Sequence, residues 1–212
     1  MTRVISWTDR LIAVCDQGLK TVAADPPWKR PSPADAVDEV PLSRREQAES
    51  ARLMRVNRAG EISAQALYTG QALFARGVKT ADHLARAADD EIDHLAWCTK
   101  RLTELQGQTS LLDPAWYLGS ATIGAFAGIT GDARSLGFVA ETERQVESHL
   151  DDHLTRLPEA DAKSRAILKQ MSVDEARHGH EATAAGGTPI REPILSFMAI
   201  GGEVLRRLAY HL

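Results

Sequence analysis

Along this chain apolar residues recur at helical spacing. In residues 6–22, Trp7, Leu11, Val14 and Leu19 return every three to five positions, which predicts an amphipathic helix. The stretch ADPPWKRPSPADAVDEVP that follows is too rich in proline to continue it, because proline lacks the amide proton a helix needs; it reads as a linker or an ordered arm. Ser43, with Glu46 three residues on, makes a capping-box pair that opens a first long helix running to about Arg76. The turn RGVKT leads into a second, over ADHLARAADDEIDHLAWCTKRLTEL, which stops at Gly107. A third starts after Asp113-Pro114 and extends to Pro158, with Gly128 to Gly131 as its natural point of interruption. A fourth covers about 159–185 and ends at Gly186-Gly187, and the amphipathic segment PILSFMAIGGEVLRRLAYHL closes the chain. No stretch alternates with the period of two that marks a half-buried strand. The expected class is all-α: a four-helix bundle over 43–212, with a further helix at each end and an arm within 1–42.

Only PAWYLGSATIGAFAGITG, residues 114–131, is both long and uncharged, at the lower limit of what crosses a bilayer. Its four glycines with Ser120, Thr122 and Thr130 favour a buried or membrane-dipping helix over a span.

Composition narrows the function. A chain of 212 residues can bury a core without disulfides or a structural metal, so a metal here would serve chemistry. A formal net charge of −4 gives no basic footprint for phosphates, so nucleic acid is not expected as a partner. Cys15 and Cys98 show no CxxC spacing, which fits a reducing compartment. The charged N-terminus lacks the features of a secretory signal, and the expected location is inside the cell.

The chemistry lies in a repeat. DDEIDH and VDEARH each contain Glu-x-x-His, Glu91 with His94 and Glu175 with His178, and residues three apart share a helical face. One such pair carries little weight, since chance alone supplies about half an occurrence at this composition. The order carries more. Glu61 precedes Glu91 by 30 residues and Glu143 precedes Glu175 by 32, so the chain twice runs Glu, then Glu-x-x-His, as duplicated helical hairpins would. In an antiparallel bundle all six groups can meet at one level, as the ligands of carboxylate-bridged di-iron or di-manganese sites do in ferritin-like bundles. Four carboxylates do not share a dry interior as bare anions; two divalent cations would neutralise them, and oxygen and imidazole donors without thiolate favour iron or manganese. Asp90 and Asp174 each precede a ligand glutamate, and by the repeat symmetry Asp174 is expected to hold His94 and Asp90 to hold His178.

Other candidates rank lower. His149 and His153 are spaced to bind zinc, but Glu147, Asp151 and Asp152 around them suggest a solvated face. HGHEATA lacks the second histidine of a zinc protease helix. Cys98 reads as packing. Tyr68, seven residues after Glu61, is either a core residue or a hydrogen-bonding support for the site.

At RVNRAGE with ALYTGQAL, DDEIDHLAWC, SLGFVAETERQVESHL and SRAILKQMSVDEARHGHEA the sequence resembles the demethoxyubiquinone hydroxylase family, di-iron monooxygenases of ubiquinone biosynthesis. The resemblance runs over about residues 40–212 and implies the ligand set Glu61, Glu91, His94, Glu143, Glu175 and His178, with Glu143 rather than its neighbour Glu141. Arg58 stands where the family pattern has His. The implied activity uses two iron ions and O2 to hydroxylate the ring of a polyprenyl-methoxy-methyl-1,4-benzoquinol, with electrons from a donor that the residues do not identify. Such a substrate lives in the bilayer. The C-terminal helix, apolar at Ile194, Leu195, Phe197, Met198, Leu205 and Leu208 and basic at Arg206 and Arg207, either lies at the membrane surface and admits the tail or simply packs on the bundle. The implied location is the cell membrane, peripheral on its cytoplasmic side, with a homo-oligomer compatible. Two alternatives use part of the same features: a ferritin-like iron-storage protein would need the ligands only, and a non-enzymatic quinone- or lipid-binding partner only the apolar helices.

Overall fold

The computed structural model describes residues 7–23, 28–38 and 40–212, with the side chains of Trp7, Arg10 and Leu11 outside the description. The expected apolar roles of Trp7 and Leu11 therefore lie outside the described residues. Seven α-helices make up the described chain: α1 (Trp7–Ala23), α2 (Arg44–Ala72), α3 (Val78–Glu104), α4 (Asp113–Ile129), α5 (Asp132–Arg156), α6 (Ala162–Ala184) and α7 (Ile194–His211). A 3-10 turn at Pro33–Ala36 lies in the arm, and the described residues contain no strand.

Local chemistry sets the helix ends. Ser43 Oγ accepts from the Glu46 amide at 3.3 Å while Glu46 returns a carboxylate to the Ser43 amide at 2.8 Å, so the capping box opens α2 as its sequence predicts. The far end of α2 falls four residues short of the expected Arg76. Asp132, from the start of α5, accepts from the amides of Arg76 and Gly77 at 3.0 and 2.8 Å and so holds the turn between α2 and α3. The predicted third helix is two helices, α4 and α5. Gly131 sits at φ 103°, a left-handed conformation that glycine adopts without strain, and there the chain changes direction. Asp161 caps α6, accepting from the Ser164 amide at 3.0 Å, and this places its start at Ala162 instead of 159.

Helices α2, α3, α5 and α6 enclose the core. One apolar cluster, with Leu53, Met54, Trp97, Cys98, Leu150, Ile167, Leu168 and Met171, fills one end. A second, with Ala64, Tyr68, Leu84, Ala87, Val139 and Ala182, fills the other. On every helix the residues between these clusters are the polar ones of the repeat.

Helix α4 lies on the outer flank of α2, in backbone contact. A Cβ added at Gly70 would come within 2.1 Å of the Ala121 carbonyl oxygen, and one at Gly124 within 2.2 Å of the Leu67 carbonyl oxygen. The small residues thus let two helices touch backbone to backbone, as in membrane-type packing. Expected to be buried or membrane-dipping, α4 is neither fully buried nor long enough to span: Tyr117, Gly124 and Gly128 face inward, while Leu118, Ile123, Phe126 and Ile129 face out. Among the described residues no helix is long and apolar enough to cross a membrane. Helix α7 also packs on α2, through Leu205, Ala209 and Tyr210. Its outward face carries Ile194, Phe197, Ile200, Val204 and Leu208 at helical spacing.

The two kinds of glycine in α4 should respond oppositely to substitution. Gly124→Leu, forced against backbone, should lower unfolding stability by more than about 2 kcal/mol. Gly119→Ala meets nothing within 4 Å and should raise it by up to about 1 kcal/mol, as read by urea unfolding.

Candidate metal centre

Between the two apolar clusters, four helices bring six ionisable side chains to one level. Helix α2 supplies Glu61, α3 Glu91 and His94, α5 Glu143, and α6 Glu175 and His178, all of them buried. Their ligand atoms form two overlapping groups. Glu61, Glu91, His94 and Glu175 lie within 4.8 Å of one another, as do Glu91, Glu143, Glu175 and His178. Glu91 and Glu175 belong to both groups. Each group could hold a metal ion, and the two groups share two carboxylates, each having one further glutamate and one histidine of its own.

The imidazoles turn the same edge inward. His94 Nδ1 lies 3.2 Å from Glu91, 3.3 Å from Glu175 and 3.5 Å from Glu61; His178 Nδ1 lies 3.4 Å from Glu175 and 3.5 Å from Glu91. Their Nε2 atoms point away and cross the bundle: His94 meets Asp174 at 3.0 Å and His178 meets Asp90 at 2.9 Å. This is how a carboxylate fixes the tautomer of a metal-binding histidine.

Several inward atoms have no hydrogen-bond partner: Glu61 Oε2, Glu91 Oε1, both oxygens of Glu143, Glu175 Oε2 and His178 Nδ1. Leaving a buried polar atom unpaired costs about 1–3 kcal/mol, more when it is charged. Six such atoms turned toward each other fit a cation, which would supply the partner that each lacks. Hard carboxylate oxygens with two imidazoles suit iron or manganese.

Without metal, protons do the neutralising. Burial, with the charge of Glu91, pushes Glu61 well above the usual carboxylate range, and burial with Glu175 does the same to Glu143. Burial works against the charge on Glu91 and Glu175 too, but the imidazoles of His178 and His94 close beside them outweigh it and hold both low. The histidines answer in kind. Against the effect of burial, Asp174 and three glutamates raise His94 well above its normal value, and Asp90 with Glu175 and Glu91 raises His178 to about 12. Burial and neighbouring charge thus favour the protonated forms of Glu61, Glu143, His94 and His178 and the ionised forms of Glu91 and Glu175.

The remaining candidates sort clearly. Glu141 stays outside the cluster, bonded to Arg144 at 2.7 and 2.9 Å and to Gln145 at 2.7 Å. Tyr68 is buried in the apolar layer beside the cluster, its hydroxyl without a hydrogen-bond partner, so no bond from it supports a ligand. The expected solvated face at His149 and His153 is incorrect. Asp151 and Asp152 occupy the outer side of α5, while both histidines turn inward and donate to one oxygen, Asn57 Oδ1, at 3.0 and 2.8 Å. Burial lowers His149 to about 4 and keeps His153 low as well, so this pair is neutral and hydrogen-bonded. Cys98 packs against Met171, 3.8 Å between sulfurs. Arg58 is buried and turned away from the cluster, donating to Thr99 at 3.0 Å and pairing with Asp113 at the start of α4. Two residues escaped the sequence reading: Asn57, one turn before Glu61, and Arg30, in the arm, which donates to Asp174 at 2.8 Å. The basic pair Lys29-Arg30 between prolines was the available signal for the second.

The protein-family model described as ubiquinone biosynthesis protein COQ7 matches residues 48–205, a span that contains all six residues. A protein of Xanthomonas axonopodis pv. citri named 3-demethoxyubiquinol 3-hydroxylase is 50% identical over 211 residues, covering 100% of this chain and 97% of that protein. A protein of the same name from Nitrosospira multiformis is 51% identical over 202 residues, covering 95% and 97%. One from Xanthomonas campestris pv. campestris is 49% identical over 209 residues, covering 99% and 96%.

Uptake of two divalent cations should release about four protons, one each from Glu61, Glu143, His94 and His178. Because cation and proton compete for the same atoms, affinity should rise with pH and fall as pH drops. Calorimetry with Mn(II) in buffers of different ionisation enthalpy counts the protons; release of none would mean that cations bind elsewhere.

Proposed function

The chain belongs to the ubiquinone biosynthesis protein COQ7 family, and from that premise we propose that it is a demethoxyubiquinol hydroxylase that works with two iron ions and O2. The observation that carries the reading is the pair of overlapping ligand groups sharing Glu91 and Glu175. The substrate in this reading is a polyprenyl-methoxy-methyl-1,4-benzoquinol. Two iron ions, when bound, would supply the redox chemistry by which O2 gives one oxygen atom to the electron-rich ring and the other to water, with two further electrons and two protons.

The residues of the chain have distinct parts in this. Glu91 and Glu175 would serve both cations, since each belongs to both groups. Glu61 and Glu143 would complete one position each. Asp174 and Asp90 keep the imidazole rings aimed inward, so that His94 and His178 bind as neutral donors. Both aspartates suit this role: Asp174, held low by His94 and Arg30 against burial, and Asp90, held low by His178, stay ionised. The apolar layers above and below, with Trp97, Cys98 and Met171 on one side and Ala64, Tyr68 and Val139 on the other, keep bulk water from the reacting atoms.

Access for so apolar a substrate follows from the outer helices. We place the protein at the membrane surface, peripheral and on the cytoplasmic side. The uncharged outer face of α4 and the apolar stripe of α7 support this, and the free cysteines fit a reducing side. Met198, which the sequence put with Phe197, is only partly exposed, whereas Phe197 is 70% and Ile200 61% exposed. Those two residues are the better probes of a lipid contact.

The direct test adds two equivalents of Fe(II) anaerobically, then O2 and the demethoxyquinol. Hydroxylated product is expected, while continued iron uptake without product would favour storage. Glu143→Gln should reduce turnover at least about 100-fold, because one position loses its own carboxylate. Glu141→Gln should stay near wild type; if the two effects are exchanged, the assignment on α5 is wrong.

Phe197→Asp with Ile200→Asp should weaken liposome binding and turnover of long-tailed quinol, and spare a short-tailed soluble quinol. Equal loss on both substrates, with the helical circular dichroism intact, would assign these residues to the active site instead of the membrane.

A further inference from the structure

We propose that Arg30, from the arm ahead of the bundle, is a positioning residue of the metal centre that fixes its His94 half and leaves its His178 half alone. The inference rests on the reading of the six buried residues as ligands of two cations.

One oxygen makes the connection. Asp174 Oδ2 accepts from Arg30 Nη1 at 2.8 Å and also lies 3.0 Å from His94 Nε2. A carboxylate orients an imidazole only as well as it is itself held. Gln170 and Arg177 of α6 reach the other oxygen, Oδ1, at 3.3 and 3.4 Å, while the group that holds Oδ2, at the shorter distance, comes from outside the four-helix core. Arg30 is in turn fixed on several sides. Its Nε donates to Asp93 Oδ2 at 2.9 Å, and the Asp93 carboxylate also accepts from the backbone amide of Lys29 at 2.6 Å. Its guanidinium carbon lies 4.8 Å from the centre of the Trp97 ring, and Trp97 Nε1 donates to the Arg30 carbonyl at 3.2 Å. The Trp97 ring lies 5.3 Å from the His94 imidazole, so ring and guanidinium back the same histidine from two directions. Four residues on, Ala34 is buried in the core cluster that includes Trp97 and Met171 and anchors the arm there.

The other half lacks this support. Asp90, which holds His178, pairs with Arg177 at 2.8 Å, and that arginine belongs to α6 itself, one residue before His178. Its side chain is 43% exposed and Asp90 is 28% exposed, against 6% for Asp174. The duplicated hairpins therefore give a symmetric ligand set with an asymmetric outer support. A planar, two-pronged donor suits this place: it reaches Asp93 and Asp174 at once, which the single ammonium of lysine does not.

The test titrates full-length apoprotein anaerobically with Co(II) alone, following visible absorption and heat, for wild type, Arg30→Gln, Arg30→Lys and Asp93→Asn. Wild type should take up two Co(II). Arg30→Gln should weaken one of them about 10-fold and change its absorption band, leaving the second as it was. Arg30→Lys should recover part of the loss, and Asp93→Asn, which frees one prong only, should shift the same ion by less. Urea unfolding of each apoprotein separates positioning from folding. Equal weakening of both ions in step with lost stability, or no change at either ion, would overturn the role of Arg30. If wild type itself fails to take up two Co(II), the reading of the six ligands falls first and this inference with it.

Discussion

Every other feature of this structure answers to one constraint: four carboxylates and two imidazoles are buried in a single layer of a helical bundle. Such a layer is unstable as a set of bare charges. Here burial and neighbouring charge favour the protonated forms of Glu61, Glu143, His94 and His178, while the adjacent imidazoles favour the ionised forms of Glu91 and Glu175. In the proposed reading, two divalent cations would take the place of those protons and carry the positive charge that the buried carboxylates require.

The constraint propagates outward. Each inward imidazole needs an outward partner, and Asp174 and Asp90 supply one across the α3–α6 interface, so imidazole orientation and helix packing depend on the same two contacts. Asp174 takes partners from its own helix, Gln170 and Arg177 at Oδ1, and from the arm, where Arg30 holds Oδ2, the oxygen that faces His94. On the opposite side, α2 contributes only Glu61 to the layer and is free to serve as a platform. It takes α4 through Gly70, Gly124 and Gly128 and α7 through Leu205 and Ala209, and leaves both helices with an apolar face toward the outside.

Much of this is legible in the chain because it is local. Ser43 with Glu46, Glu91 with His94 and Glu175 with His178 act within one helical turn, where sequence distance and spatial distance agree. The ligand repeat is legible for a related reason, since antiparallel hairpins of equal length bring equal positions to one level. What the sequence hides is nonlocal. Asp132 holds the turn between α2 and α3 from 55 residues away, and Arg30 reaches Asp174 from 144 residues away. His149 and His153 look solvated because the acidic residues beside them occupy the other face of α5, and only the fold reveals Asn57 between the two rings. The outward face of α4 was hidden differently: an uncharged helix gives no polar stripe from which to read its orientation.

The central claim is that this buried layer is a centre for two metal ions. Anomalous diffraction at the iron edge from iron-loaded crystals tests it most directly. The account requires two peaks in the layer, one against Glu61 and His94 and one against Glu143 and His178, with Glu91 and Glu175 between them. A single peak, or iron bound outside the layer while these six side chains keep their protons, would contradict it.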